Sequence, residues 1–277
     1  MTEHKQERLG WINGHWGNFN DLKLPLNDRG LNFADGIFET IFILNGTPQL
    51  LNEHLNRWEK SANLLEMNPP PSKEWLSTLI QDGIKRSKIN KKSGVVRLNW
   101  SRGESKKRGI DLNKINLHRF WLEIAFYQPK FDSISTMISK TERRNSFSKL
   151  SVCKTLSYNQ AIQARIEAKN SGFDDALLLN SQGNICCSTT ANILIKRKNH
   201  WLTPSLKSGC LPGIMRQRGI DLNIIKESMV EPLADEKDEW FLINSLSCRP
   251  IKKINQTKLK ISTNPKEFWL NLLKSNI

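Results

Sequence analysis

The sequence predicts a mixed α and β fold in two parts, and three observations carry that expectation. Short apolar runs such as GVVRLNWSRG and HRFWLEIAFYQP alternate like paired strands. Leu55, Trp58, Ala62 and Leu65 recur at helical spacing, and a second helical stretch covers Lys73 to Ser87. The segment YQPKFDS has a proline and no sustained periodicity, which makes residues 127–133 the linker between parts 1–126 and 134–277.

In chain order, WINGHWGN and LKLPLNDRGLNFADG read as short extended pieces joined by Asn-Gly and Asp-Arg-Gly turns. IFETIFILNGTPQLL reads as a strand pair turning at Asn45-Gly46. The first amphipathic helix starts from Glu53 and stops at Asn68 and the three prolines after it. In the second part, SISTMISKTERRN reads as a strand, SKLSVCKT as a loop, and Ser157 to Asn170 as a helix closing near Ser171-Gly172. DDALLLNSQGNICCSTTANILIKRKNHWLTP is expected to hold three strands of a meander, split at Ser-Gln-Gly-Asn and Arg-Lys-Asn-His. A helix is expected after Pro212, strands in EWFLIN and RPIKKIN, and a last helix in NPKEFWLNLLKSN.

Composition narrows the class of protein. The 277 residues, 38% of them hydrophobic, suffice for one large or two smaller cores. No window approaches the roughly 18 apolar residues of a membrane span, and MTEHKQERLGW lacks the apolar core of a signal peptide, so a cytoplasmic location is expected. The five cysteines, Cys153, Cys186, Cys187, Cys210 and Cys248, show no framework spacing and are expected as thiols, with no metal site. Net charge +15 would suit nucleic acid, but the basic residues are scattered over turns and edges without an aromatic stripe, so nucleic acid is not the expected partner. A positive field that draws in a small anionic substrate is the better reading.

The ordered set DRGLNFADGIFET, EHLNRW, SRGESKKRG, CKTLSYNQ, DDALLLNSQGNICCSTTAN, LTPSLKSGCLPGIMRQ and FLINSL resembles the class IV aminotransferases, which depend on pyridoxal phosphate. Within that family the likeness is nearest to the aminodeoxychorismate lyases, through the CLPGIMRQ loop and the NSL turn. The resemblance implies the two-domain fold-type IV architecture, with the cofactor between the domains and a homodimer completing the pocket.

On the same resemblance, Lys154 is the lysine that holds the cofactor aldehyde and moves the substrate's α proton. Arg57, in the His54-x-x-Arg57 element, grips the cofactor phosphate with its forked guanidinium, and His54 packs or hydrogen-bonds. The backbone amides of Ile214 and Met215, after Gly213 at a helix start, would donate to the same phosphate. Asn244 and Ser245 either complete that cup or simply build a turn. Cys187 falls where the family pattern has a glutamate beside the pyridine nitrogen. A thiol is a poor replacement for a carboxylate, and the position is either a thiolate partner of that nitrogen or a small buried residue. Arg108 resembles a substrate-binding arginine, although Ile110 replaces the usual aromatic, and a solvated basic loop is the rival reading. Phe38 and Thr40 would line the pocket mouth, with ordinary strand core the alternative for Phe38.

The implied reaction is elimination of pyruvate from 4-amino-4-deoxychorismate to give 4-aminobenzoate for folate synthesis. A branched-chain or D-amino acid aminotransferase is the second expectation. A non-catalytic or nucleic-acid-binding descendant is the third.

Overall fold

The computed structural model describes residues 8–104, 108–112 and 117–274. They form two compact units, one running to Gln128 and also taking in Lys154–Ser157, the other comprising Pro129–Cys153 and the chain from Tyr158 onward. Lys154 thus groups with the first unit, whereas the sequence reading placed it in the C-terminal part.

The first unit is built on a six-stranded antiparallel sheet. Its strands are β1 (Leu9–Ile12), β2 (His15–Asn18), β3 (Gly36–Leu44), β4 (Thr47–Pro48), β5 (Gly94–Ser101) and β6 (Arg119–Phe126), in the order β2-β1-β6-β5-β3-β4. The β1–β2 turn takes positive φ at both Asn13 (50°) and Gly14 (86°), the geometry that matches strand twist in a two-residue hairpin. Helix α1 (Arg29–Phe33) lies where only extended pieces were expected. Five residues carry no periodic signal; Asp28 caps the helix by accepting from the Gly30 N–H at 2.8 Å, and Ala34 ends it in the left-handed region.

Helices α2 (Leu51–Leu64) and α3 (Lys73–Arg86) contribute to a single core with one face of this sheet. Ile37 and Ile41 of β3, Val96 and Leu98 of β5, and Leu122 and Ile124 of β6 meet Leu55 and Trp58 of α2 and Ile80 and Ile84 of α3. Side chains alternate across a strand, so Glu39 falls in the same row as Ile37 and Ile41. Phe38 and Thr40 take the other face, opposite Asn99 and Arg97 respectively.

The second unit holds β7 (Ile134–Arg144), α3's successor α4 (Asn159–Asn170), β8 (Asp175–Asn180), β9 (Ile185–Ser188), β10 (Asn192–Arg197), β11 (His200–Pro204), α5 (Ile214–Asp221), β12 (Ile225–Ser228), β13 (Glu239–Asn244), β14 (Ser247–Ile254), β15 (Thr257–Lys258) and α6 (Pro265–Leu273). The strand order is β12-β11-β10-β13-β14-β7-β8-β9, with β15 on β14. The segment expected to give three meander strands gives four. The break falls at Ser188, whose N–H donates to the Ala191 carbonyl and whose hydroxyl accepts from the Ala191 N–H, so ICCS and NILIKR separate. The arrangement is not a meander, because β8 runs parallel to β7 and β10 pairs with β13. Ala164 and Ala168 of α4 pack with Met137, Leu178, Cys186, Cys187 and Cys210, and all five cysteines are buried free thiols.

Candidate active site

Lys154 is held by its backbone against the start of β3. The Phe38 N–H donates to the Lys154 carbonyl at 2.9 Å, and the Leu156 N–H donates to the Gly36 carbonyl at 2.9 Å. Gly36 permits this approach: a Cβ there would stand 2.7 Å from Leu156 Cδ1 and 2.8 Å from the Trp100 carbonyl oxygen. The Lys154 ammonium lies 4.2 Å from the centre of the Phe38 ring, and the Arg97 guanidinium lies 3.8 Å from the same centre. Arg97 Nε donates to Asn99 Oδ1 at 2.8 Å. The face carrying Phe38, Thr40, Arg97 and Asn99 is therefore the one to which the Lys154 side chain reaches. An aromatic ring attracts each cation through its quadrupole, which orients the Lys154 ammonium and the Arg97 guanidinium about the Phe38 ring.

On the helix-covered face, Glu39 meets two residues of α2. Arg57 Nε donates to Glu39 Oε1 at 2.8 Å and Arg57 Nη2 to Glu39 Oε2 at 2.6 Å, while His54 Nδ1 lies 2.7 Å from Oε2. Glu39 is fully buried. Burial opposes its ionisation, but the Arg57 charge and the His54 and Arg57 hydrogen bonds prevail and bring its pKa from 4.5 to about 2. Burial lowers the His54 pKa against the pull of Glu39, so the ring is neutral near pH 7 and donates from Nδ1 to the carboxylate.

This cluster predicts acid lability. Both groups have folded pKa values below their unfolded ones, so the unfolded chain binds more protons and stability is lost as pH falls, from about 6.5 for His54 through 4.5 to about 2 for Glu39. The Glu39 shift alone corresponds to about 3 kcal/mol. Urea midpoints measured at pH 7, 5 and 3 should fall steadily; midpoints that stay level would contradict the assignment.

The DRG, ADG and SRG motifs build the support beneath these residues. Asp35 accepts from Arg29 Nε at 2.8 Å and from Arg102 Nε at 3.1 Å, and the Arg102 Nη atoms donate to the Glu66 and Leu65 carbonyls at 2.9 Å. Asp28 Oδ2 accepts from Ser101 Oγ at 3.0 Å and Arg119 Nε at 3.1 Å. Buried charges with this many partners specify one path for the chain entering β3. Arg108 is exposed. Two residues beyond it, the Ile110 carbonyl accepts from Arg29 Nη2 at 2.9 Å.

In the second unit, Cys187 lies in β9 opposite Leu178 of β8 and is 9% exposed. A hydrogen bond from the Cys186 thiol and the nearby Arg144 charge lower its pKa against the effect of burial. The same contact and burial push the Cys186 thiol up. Ile214 and Met215 open α5 and are buried, and Gly213 at its N-cap brings no side-chain cap. The first-turn amides of such a helix are donors with positive potential, suited to an anion.

Asn192 shapes that helix start. Its Nδ2 donates to the Leu211 carbonyl at 2.9 Å, and a Cβ on Gly213 would stand only 1.8 Å from its Oδ1. The side chain of Asn244 builds the β13–β14 turn: Oδ1 accepts from the Leu246 N–H at 2.8 Å and the Ser247 hydroxyl at 3.1 Å, and Nδ2 donates to the Thr190 carbonyl. Ser245 is half-buried in that turn. The structure thus brings Lys154 to Phe38 and sets Thr40 on the same sheet face, and it joins Arg57 to Glu39 and His54. Glu39 and Arg97 were missed from the sequence. A charged residue in an apolar strand row was the available signal for Glu39; Arg97 needed the β3–β5 register.

The two-sheet architecture is that of the fold-type IV aminotransferases. A Mycobacterium tuberculosis aminotransferase solved with α-ketoglutarate and PMP superposes with a TM-score of 0.82 at 17% identity, covering 95% of this chain and 97% of its own. The chain belongs to the class IV aminotransferase family, whose profile, Amino-transferase class IV, matches residues 36–254. A Methanocaldococcus jannaschii protein named for branched-chain-amino-acid aminotransferase is 29% identical over 80% of this chain and 76% of its own length. The aminodeoxychorismate lyase of Bacillus subtilis is 24% identical over 89% of this chain and 86% of its own. Pyridoxal phosphate, the cofactor expected from the sequence, accords with this family. In the first unit a lysine amine is of the kind that takes an aldehyde and a guanidinium of the kind that takes a phosphate, and in the second unit, taken by itself, an uncapped helix start suits an anion. Among the described residues no helix is long and apolar enough to cross a membrane.

Proposed function

We propose that the protein eliminates pyruvate from 4-amino-4-deoxychorismate to give 4-aminobenzoate. Pyridoxal phosphate, when bound, supplies an aldehyde that captures the substrate amine and a ring that accepts electrons. In this reading Lys154 holds the cofactor and then, as a free amine, takes the proton from the amine-bearing carbon and returns one to the departing three-carbon unit. Arg57 and the amides of Ile214 and Met215 hold the phosphate, with Ser245 beside them and Asn244 shaping the turn. Phe38 and Thr40 line the substrate side, and Arg108 draws in the substrate's carboxylates. A homodimer belongs to the proposal; exposed Leu26, Leu31 and Phe33 offer apolar surface to a second copy.

The buried thiol of Cys187 is the observation that carries the choice of elimination. Amino transfer relies on a carboxylate to keep the ring nitrogen protonated, and a thiol holds that proton poorly. Elimination that yields an aromatic ring has its own driving force and tolerates a weaker electron sink. The relatives named for branched-chain aminotransferase support the second reading, amino transfer, over the lyase.

Spectra of the holoenzyme separate the two. Leucine or D-alanine, added without an oxo acid, should leave the cofactor in its aldehyde form, and conversion to the amine form at catalytic rates would establish the aminotransferase. Cys187→Glu should speed that conversion about tenfold or more by restoring a charged partner to the ring nitrogen. A variant with unchanged rates in both reactions would remove Cys187 from the account.

A further inference from the structure

Glu39 occupies a place where an aliphatic side chain would cost nothing to bury, since its row neighbours Ile37 and Ile41 are 0% exposed. The carboxylate is nonetheless engaged from two directions. It takes one edge of the Arg57 guanidinium through both oxygens, at 2.8 and 2.6 Å, and Oε2 also meets His54 Nδ1 at 2.7 Å. A two-point fork fixes the plane of a guanidinium, which a single contact does not. The His54 bond in turn opposes rotation of the carboxylate about its own axis. His54 and Arg57 lie three residues apart on α2, on the face packed against β3, so one strand residue can meet both.

We propose that Glu39 and His54 are positioning residues that hold the Arg57 guanidinium in the orientation required for a phosphate monoester. The inference rests on the reading of Arg57 as the residue that grips the cofactor phosphate. Neither residue touches the cofactor; they act by removing the rotational freedom that Arg57 would otherwise lose on binding. Their effect is therefore confined to ligands that carry the phosphate.

Titration of the full-length apoprotein with pyridoxal phosphate and with pyridoxal, followed by absorbance, tests this. The ratio of the two dissociation constants measures the phosphate's share of affinity, and a general loosening of the fold affects both ligands alike. Arg57→Ala should reduce the ratio by about a hundredfold. Glu39→Gln and His54→Leu should each reduce it by about tenfold, with pyridoxal affinity held within about threefold. His54→Asn, whose amide can donate from the Nδ1 position, should recover most of the loss.

A ratio that falls in Arg57→Ala but stays at the wild-type value in Glu39→Gln and His54→Leu overturns the positioning role alone. A ratio unmoved in Arg57→Ala overturns the phosphate reading and the inference with it. Should Glu39→Gln fail to fold, the His54→Leu and His54→Asn pair decides the matter through the same ratio.

Discussion

Lys154→Ala should leave a folded protein that has lost at least about a thousandfold in turnover and no longer forms a borohydride-reducible link to pyridoxal phosphate. The fold should persist because the segment is held by main-chain bonds, from the Phe38 N–H to the Lys154 carbonyl and from the Leu156 N–H to the Gly36 carbonyl, which alanine retains. The cation–π contact of its ammonium with the Phe38 ring is worth about 1 kcal/mol or less, a modest contribution beside those main-chain bonds. Lys154→Arg keeps the charge over the ring but supplies no amine, and should be as inactive as the alanine variant. Circular dichroism and turnover measured on both variants check this; substantial activity in either one would remove Lys154 from the chemistry.

Gly213→Ala should have the second large effect, raising the dissociation constant for pyridoxal phosphate by about tenfold or more. The added methyl would overlap Asn192 Oδ1 at 1.8 Å, and Asn192 is not loose: it is 6% exposed and its amide holds the Leu211 carbonyl at 2.9 Å. Relief requires breaking that hydrogen bond or shifting the start of α5, and either displaces the amides of Ile214 and Met215. Adding Asn192→Ala to Gly213→Ala removes the overlap, so the double variant should bind the cofactor better than the product of the two single losses. Strict additivity would show that the contact does not transmit to the helix start.

The elements that were legible in the sequence share a physical cause. Helices α2 and α3 bury one apolar face each against a sheet, and β5 and β6 have the alternation of strands with one face toward the core. Helix α1 was not legible, because it depends on the Asp28 cap, itself held by Ser101 and Arg119 far along the chain, rather than on a repeating apolar face. The division between β9 and β10 was missed for a related reason: small residues from Ser188 to Ala191 carry no strong turn signature, and the Ser188 hydroxyl makes the turn.

The motifs themselves proved to mix support with chemistry. Arg29, Asp35 and Arg102, all within recognisable motifs, form one ionic cluster at the entry to β3, and Asp28 of the same motif pairs separately with Arg119. Asn192, part of the same pattern as Cys187, carries the loop before α5. The partnership of Glu39 with His54 and Arg57 depends on which face of β3 meets α2, and the approach of Arg97 to Phe38 depends on the β3–β5 register. Both are consequences of tertiary pairing, which a linear motif does not encode.

The most direct test of the account is the product of reaction with 4-amino-4-deoxychorismate, measured by chromatography with purified holoenzyme and no oxo acid present. Elimination predicts 4-aminobenzoate and pyruvate in equal amounts over many turnovers, with the cofactor remaining in its aldehyde form. Absence of 4-aminobenzoate, together with sustained amino transfer from leucine or D-alanine to an oxo acid, would contradict it.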